Sequence, residues 1–434
     1  MSVKNNNMSD LQKIDTWLST HFDRENFKGD FSRTQKIFAS ILAEFNSRKL
    51  EVVTIAGTNG KGETALSLEY LLSCRKISTA LWTSPHILAA NERFRFDGQE
   101  INPIKLLESF DYLYDTQPVL QEASYYEFLF YVFLYEVLKS QVKVVILEVG
   151  LGGRLDATNL LDANLMCITS ISRDHENILG KGYKKILMEK LGITRPQRLL
   201  ITGLELGYLR EITRQYIVEN DIPWMDLYAL DQLKKDHSYR YKNRQMATQL
   251  ANFLFQKFQV ACVHHDELAY LKEMNFKARM EEFTTTLGKF IFNGAHNIDG
   301  IRKFIEQLQV SRTKSLYSAI DYTLVSFSKR SEQDIYHMLK ILKQNSSVLG
   351  NLILCCFNHP KAWTIQTVTG EDNNHVSFRD ISGKLIGVVE VTYIGNTWET
   401  KITEAFFKHK SVMVVGSYYF VGEVQKTVLK TISP

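Results

Sequence analysis

Short apolar runs rich in β-branched residues alternate along the chain with segments whose apolar positions recur at helical spacing. Val52-Val53-Thr54-Ile55 reads as a strand, followed by a glycine-rich turn and a helix from about Gly62 to Ser73. Thr79 to Trp82, Val144 to Leu147 and Leu165 to Thr169 read as further strands, and Lys105 to Tyr114 and Tyr126 to Ser140 as helices. The strand segments are apolar throughout. Strands buried on both faces read this way, so the pattern predicts an α/β fold with a parallel sheet covered by helices. A long helix is expected over Tyr239 to Phe258, a fresh strand at Lys289 to Phe292, a helix at Ile301 to Leu308 and a strand at Val412 to Val415. The restart after the long helix places a boundary near Glu282 to Gly288. We divide the chain there into residues 1–284 and a second domain, 285–434, of about half that size.

Composition narrows the classes of function. Apolar residues make up 44% of the 434 positions and charged residues 23%, the balance of a globular protein. A net charge of +4, with no Lys/Arg tract, argues against a nucleic-acid partner. The odd count of 5 cysteines, without a CxxC pair, argues against a disulfide framework or a zinc site and for a reducing compartment. Met1 to Asp10 is polar and lacks the apolar stretch of a signal peptide. Tyr125 to Leu138 is too short to span a bilayer and carries Glu127 and Glu136. The expectation is a cytoplasmic protein without a membrane partner.

Ala56-Gly57-Thr58-Asn59-Gly60-Lys61-Gly62 follows a strand and opens a helix, the context of a phosphate loop. Glycines let backbone N–H groups turn toward phosphates, and the helix start adds partial positive charge. Lys61 is placed to reach the β- and γ-phosphate oxygens. The general pattern differs at two positions: it has Gly where Ile55 stands, and Ser or Thr where Gly62 stands. Taken alone, the segment also fits an ordinary strand-to-helix turn.

The form Gly-Thr-Asn-Gly-Lys-Gly resembles that of the Mur ligase superfamily, and further segments resemble its folylpolyglutamate synthase and dihydrofolate synthase branch. They are Thr83-Ser84-Pro85-His86 with Asn91-Glu92-Arg93, and Tyr126-Glu127-Phe128-Leu129. The most specific is the run from Glu148-Val149-Gly150-Leu151-Gly152-Gly153 through Arg154-Leu155-Asp156-Ala157-Thr158-Asn159. Asp174-His175, Glu189-Lys190 with Gly192-Ile193, Gly294-Ala295-His296-Asn297, and Gly416-Ser417-Tyr418 with Val421-Gly422-Glu423 follow in the family's order. The resemblance implies a P-loop ATPase domain plus a smaller Rossmann-like domain, with the active site between them. It implies a monomer that uses ATP, one or two Mg²⁺ ions, L-glutamate and a pteroate or folate. ATP would phosphorylate a substrate carboxylate, and the glutamate amine would displace phosphate from the acyl phosphate.

The resemblance also assigns residues. Asn59, Gly60, Lys61 and Gly62 would hold the nucleotide, with Arg279 and Asn293. Ser84, Glu148 and His175 would bind Mg²⁺, whose ligands are hard oxygens. Glu148 ends a strand, where α/β sheets place their sites. Alone, Ser84 also reads as a turn serine before Pro85, and His175 as a hydrogen-bonded loop histidine. Lys190 stands where the family's lysine can be carbamylated; read alone it is a helix lysine paired with an acid. Lys61, Lys190 and His175 would serve the chemistry. Ser124, Tyr125, Tyr126, Glu127, Leu155, Asp156 and Ala157 would line the pteroate site.

Several positions depart from the family. Glu63 replaces the Ser or Thr that would ligate the nucleotide's metal. Asn293 replaces an Asp, and Lys361 replaces an Arg after Pro360. Lys242-Asn243-Arg244-Gln245-Met246-Ala247 puts Met246 where an adenine-contacting Asn is expected, and no Asp-Lys-Asp follows Phe327. These departures keep open a second reading, a weakened or repurposed homologue that acts on another carboxylate or only binds ligand.

Overall fold

In the computed structural model, residues 9–22, 31–230, 239–264, 266–267, 269, 271, 274, 276–313, 319–365, 368–369 and 374–431 are described. Most of the polar start, Met1 to Asp10, lies outside them. The chain divides into two compact units, Met1–Glu273 and Met274–Pro434.

The first unit opens with helices α1 (Asp10–His21) and α2 (Phe31–Ser47). Ser9 and Gln12 form a capping box at the start of α1. The alternation expected from the sequence follows: β1 (Glu51–Ala56), α3 (Lys61–Ser73), β2 (Thr79–Trp82), β3 (Phe94–Phe96), β4 (Gln99–Glu100), α4 (Pro103–Thr116), α5 (Tyr125–Lys139), β5 (Val144–Glu148) and β6 (Leu165–Ile168). Helices α6 (Glu176–Leu179) and α7 (Tyr183–Leu191), β7 (Leu199–Thr202), α8 (Gly207–Glu219), β8 (Trp224–Asp226) and α9 (Tyr239–Lys257) complete it. The strand order is β4-β3-β2-β5-β1-β6-β7-β8. From β2 through β8 neighbours pair in parallel, while β3 and β4 extend one edge antiparallel. Those two short strands carry Arg95 and Glu100 and lack the apolar signature of the central strands.

Parallel pairing of β1 with β5 sets Ile55 opposite Glu148, so the phosphate loop and the Glu148 turn leave the same end of the sheet. Trp82, fully buried, packs against Phe94, Phe130 and Phe133 with ring centroids 5.4, 5.4 and 5.6 Å apart. Burying such rings is worth about 2–3 kcal/mol each, and the cluster locks α5 onto β2.

The second unit contains β9 (Arg279–Thr285), β10 (Gly288–Asn293), α10 (Ile298–Thr313), β11 (Tyr322–Ser326), α11 (Glu332–Gln344), α12 (Ser346–Leu349) and β12 (Asn351–Cys355). It continues with β13 (Val368–Thr369), β14 (His375–Arg379), β15 (Leu385–Glu390), β16 (Thr392–Gly395), α13 (Trp398–Thr403), β17 (Ser411–Gly416) and α14 (Tyr418–Lys430). A six-stranded sheet runs β16-β12-β11-β17-β10-β9, parallel except for β9, and β13-β14-β15 form a small antiparallel sheet. The sequence-based division at 284/285 falls at the end of β9, which pairs with β10 as a hairpin. Strand β9 lies at a sheet edge and buries only Met280, its other positions being partly or fully exposed, so its apolar signal is weak. Among the described residues no helix is long and apolar enough to cross a membrane.

Candidate active site

The loop after β1 turns sharply. Gly60 is left-handed, with φ 92°, and caps α3. The turn is held from the β6 side: Thr58 N–H donates to the Ser170 carbonyl (2.8 Å), Asn59 N–H to Ser170 Oγ (3.0 Å), and Thr169 Oγ1 to the Asn59 carbonyl (2.7 Å). Packing at Gly57 is so close that a Cβ there would fall 1.9 Å from Thr169 Oγ1. Lys61 Nζ donates to the carbonyls of Gly57 (3.2 Å) and Thr58 (3.3 Å), which folds the ammonium back over the loop.

Glu148 ends β5 and is buried. Its Oε2 accepts the Ser84 N–H at 3.0 Å, so the Ser84 and Glu148 assigned from the sequence are neighbours. A Cβ at Gly62 would lie 3.2 and 3.3 Å from the two Glu148 oxygens. The absence of a side chain at position 62 therefore leaves the carboxylate facing the first turn of α3. This explains why Gly stands where the general pattern has Ser or Thr. Among the described residues no group of three or more His, Cys, Asp and Glu side chains converges as an all-protein metal cage. A buried carboxylate beside a phosphate loop does fit Mg²⁺, which keeps waters and takes phosphate oxygens alongside one or two carboxylates. His175 sits at the start of α6 in the left-handed region (φ 52°), with a half-exposed ring whose Nε2 is 3.9 Å from Asp174 Oδ1.

Lys190, on α7, is buried and donates to the Gly57 carbonyl at 3.0 Å. Burial, and after it the positive charge of Lys61, bring its amine down to about 7. A deprotonated amine is therefore well populated at neutral pH. Helix α7 can approach because Gly153 is small: a Cβ there would meet the Glu189 carbonyl at 2.9 Å.

Four of the seven assigned pteroate residues fall into two groups. Ser124 and Glu127 form the capping box of α5. Burial pushes the Glu127 carboxyl up, but bonds from Arg33, Thr34 and the Ser124 N–H outweigh it and hold the group below its usual range. Tyr126 belongs to a buried network instead. Its hydroxyl accepts from Trp82 Nε1 (3.2 Å) and donates to Asp156 Oδ1 (3.2 Å). Asp156 also accepts the N–H groups of Leu151 (3.0 Å) and Thr158 (3.0 Å), yet burial dominates and raises its carboxyl. The Tyr126 ring lies where a Cβ at Gly150 would come within 2.8 Å, so this network shapes the glycine turn after Glu148. Tyr125 is partly buried under the Arg93 guanidinium, 5.7 Å from the ring centroid. Leu155 is half-buried and Ala157 buried.

In the second unit, Arg279 donates to the Tyr418 hydroxyl and lies over that ring. Asn293 ends β10, is buried, and accepts the Ala295 N–H at 2.9 Å. Asn297 accepts the Gly300 N–H at 2.8 Å, the helix-capping role open to it from sequence. Lys361 donates to the Tyr419 hydroxyl at 3.0 Å.

Sequence reading missed Asn243. Helix α9 places Met246 in the core, 3.9 Å from Cys167 Sγ, and presents Asn243 to the phosphate loop, where a Cβ at Gly60 would meet its Oδ1 at 2.3 Å. The signal available was the polar Asn243 on a helix face otherwise rich in buried residues.

No family model matches the chain. A dihydrofolate synthase/folylpolyglutamate synthase of Haemophilus influenzae is 40% identical over 152 residues, 35% of this chain and 34% of that protein. This alignment thus spans about a third of the relative's length. A protein of the same name from Buchnera aphidicola subsp. Schizaphis graminum is 24% identical over 420 residues, 93% of each chain. The solved bifunctional folylpolyglutamate synthase/dihydrofolate synthase of Yersinia pestis, complexed with AMPPNP and Mn ion, superposes with a TM-score of 0.71 at 22% identity. That superposition covers 99% of this chain and 100% of that one, and it shows the shared fold.

Proposed function

We propose that the chain is a member of the dihydrofolate synthase/folylpolyglutamate synthase family and an ATP-dependent ligase joining L-glutamate to dihydropteroate, to a reduced folate, or to both, a reading supported by its similarity to proteins of that name. The observation that carries the reading is the buried Glu148 carboxylate, bonded to Ser84 N–H and facing the glycine at the start of the phosphate-loop helix.

The loop N–H groups and Lys61 bind and orient the ATP phosphates. Ser84, Glu148 and His175 are the proposed metal-holding residues; a bound Mg²⁺ would neutralise charge on the transferred phosphoryl group. The Tyr126–Asp156 network orients the pterin-bearing acceptor, with Tyr125, Leu155 and Ala157 beside it. The acceptor carboxylate takes the γ-phosphoryl group; the amine of glutamate then attacks the acyl carbon, the C–O bond to phosphate breaks and the amine loses a proton. Lys190 is the proposed site of a carbamate: its neutral amine adds to CO₂ and releases one proton. The product anion would turn the repulsion from Lys61 into attraction. We place the enzyme in the cytoplasm as a monomer.

The test is phosphate release by the purified protein with ATP, Mg²⁺ and glutamate, adding dihydropteroate or tetrahydrofolate in turn. Release that requires both glutamate and a pterin supports the proposal; release indifferent to both overturns it.

A further inference from the structure

Tyr239 and Asn243 of helix α9 lie at the phosphate loop and at the Ser170 that holds it. The Tyr239 hydroxyl donates to Ser170 Oγ at 3.1 Å, the same oxygen that accepts the Asn59 N–H. One turn later Asn243 lies against Gly60, close enough that a Cβ there would clash with its Oδ1. Asn243 Nδ2 donates in turn to Glu63 Oε2 at 2.8 Å, across a sequence separation of 180 residues. Both residues are buried, Asn243 to 2% exposure and Glu63 to 5%. The other Glu63 oxygen is buried and has no hydrogen-bond partner among the described residues.

Glu63 and Glu148 therefore serve different neighbours of the same helical turn. Glu148 faces Gly62; Glu63 bonds Asn243, which in turn covers Gly60. A buried carboxylate is costly unless it is compensated. Here the compensation is the Asn243 amide together with the partial positive charge of the first turn of α3. A Ser or Thr at position 63 is too short to put an acceptor where the Glu63 carboxylate meets that amide.

We infer that Glu63 is a positioning residue: through Asn243 it fastens α9 onto Gly60 and holds the phosphate loop in the turn that presents its N–H groups. The departure from the family at position 63 is then a substitute clamp rather than a substitute metal ligand. This inference rests on the proposed nucleotide role of the loop. It follows that Glu63 governs nucleotide affinity whether or not a metal is present.

The experiment is calorimetric titration of the full chain with ADP, in EDTA and again in Mg²⁺, below the melting temperature of each variant. Glu63→Ala and Asn243→Asp should each weaken ADP binding roughly 10- to 100-fold, the scale of a hydrogen bond to a charged group. The loss should be equal with and without Mg²⁺. The double variant Glu63→Gln/Asn243→Asp, which reverses donor and acceptor, should recover most of the loss caused by Asn243→Asp. A merely structural role would lower the melting temperature and leave the ADP dissociation constant unchanged. Loss confined to Mg²⁺ conditions would overturn the inference and make Glu63 a metal ligand. Failure of the reversed pair to recover affinity, with the protein folded by circular dichroism, would overturn it as well. If the unaltered protein binds no ADP, the reading of the loop itself falls.

Discussion

Burial changes the chemistry of Lys190 at neutral pH. Its amine, at about 7 in the folded protein, stands well below the ordinary lysine value of 10.5 that applies when the chain is unfolded. Between those values the unfolded chain binds more protons, so stability rises with pH across that window. Below it the burial cost is fully present. Urea unfolding in bicarbonate-free buffer should show the stability of the unaltered protein climbing relative to Lys190→Met from about pH 7 to about pH 10, by roughly 1.4 kcal/mol for each pH step of one. Parallel profiles would contradict the buried amine. A carbamate at Lys190 makes a second prediction: ¹³C-bicarbonate should give a carbamate carbon signal that Lys190→Ala lacks. At Glu148 the expectation is sharper. Glu148→Gln should lower metal-dependent ATP turnover by at least about 100-fold, on the scale of transition-state charge stabilisation, while the melting temperature moves little. Glu148 could be singled out because it opens a long, specific stretch of sequence, and Lys190 from the short Glu189-Lys190-x-Gly192-Ile193 context. Asn243 could not be, because its partners Gly60 and Glu63 are remote in sequence and its helical phase shows only once α9 is packed.

The elements show the same division between local and distant information. Strands β1, β2, β5 and β6 were readable because burial on both faces makes them uniformly apolar. Strands β3, β4 and β9 were not, since edge strands carry outward charges and short runs. The turn after β5 was recognisable from its glycines, but the reason for them is tertiary: the Tyr126 ring on α5 occupies the space of a side chain at Gly150. Gly150→Ala should therefore destabilise the first unit by about 1–3 kcal/mol, the usual cost of overpacking, seen as a lower urea midpoint. Tyr126→Phe removes the hydroxyl that links Trp82 to Asp156. It should cost about 1 kcal/mol of stability and raise the KM for the pterin more than that for ATP. Equal changes in both would assign Tyr126 to packing alone.

On the scale of the whole molecule, each unit has its own sheet and its own buried core. The phosphate loop, Glu148, Lys190 and α9, to which binding roles are proposed, all lie within the first. Ligand that binds only the folded state adds stability by mass action, about 2.7 kcal/mol at a hundredfold excess over its dissociation constant. Glutamate ligation to a pterin carboxylate is tested by phosphate release with each substrate withheld in turn, paired with mass spectrometry of the pterin. Release is expected only with ATP, Mg²⁺, glutamate and dihydropteroate or tetrahydrofolate together, with a pterin product heavier by one glutamate residue. Phosphate release without glutamate, or an unchanged pterin mass under full turnover, would contradict glutamate ligation.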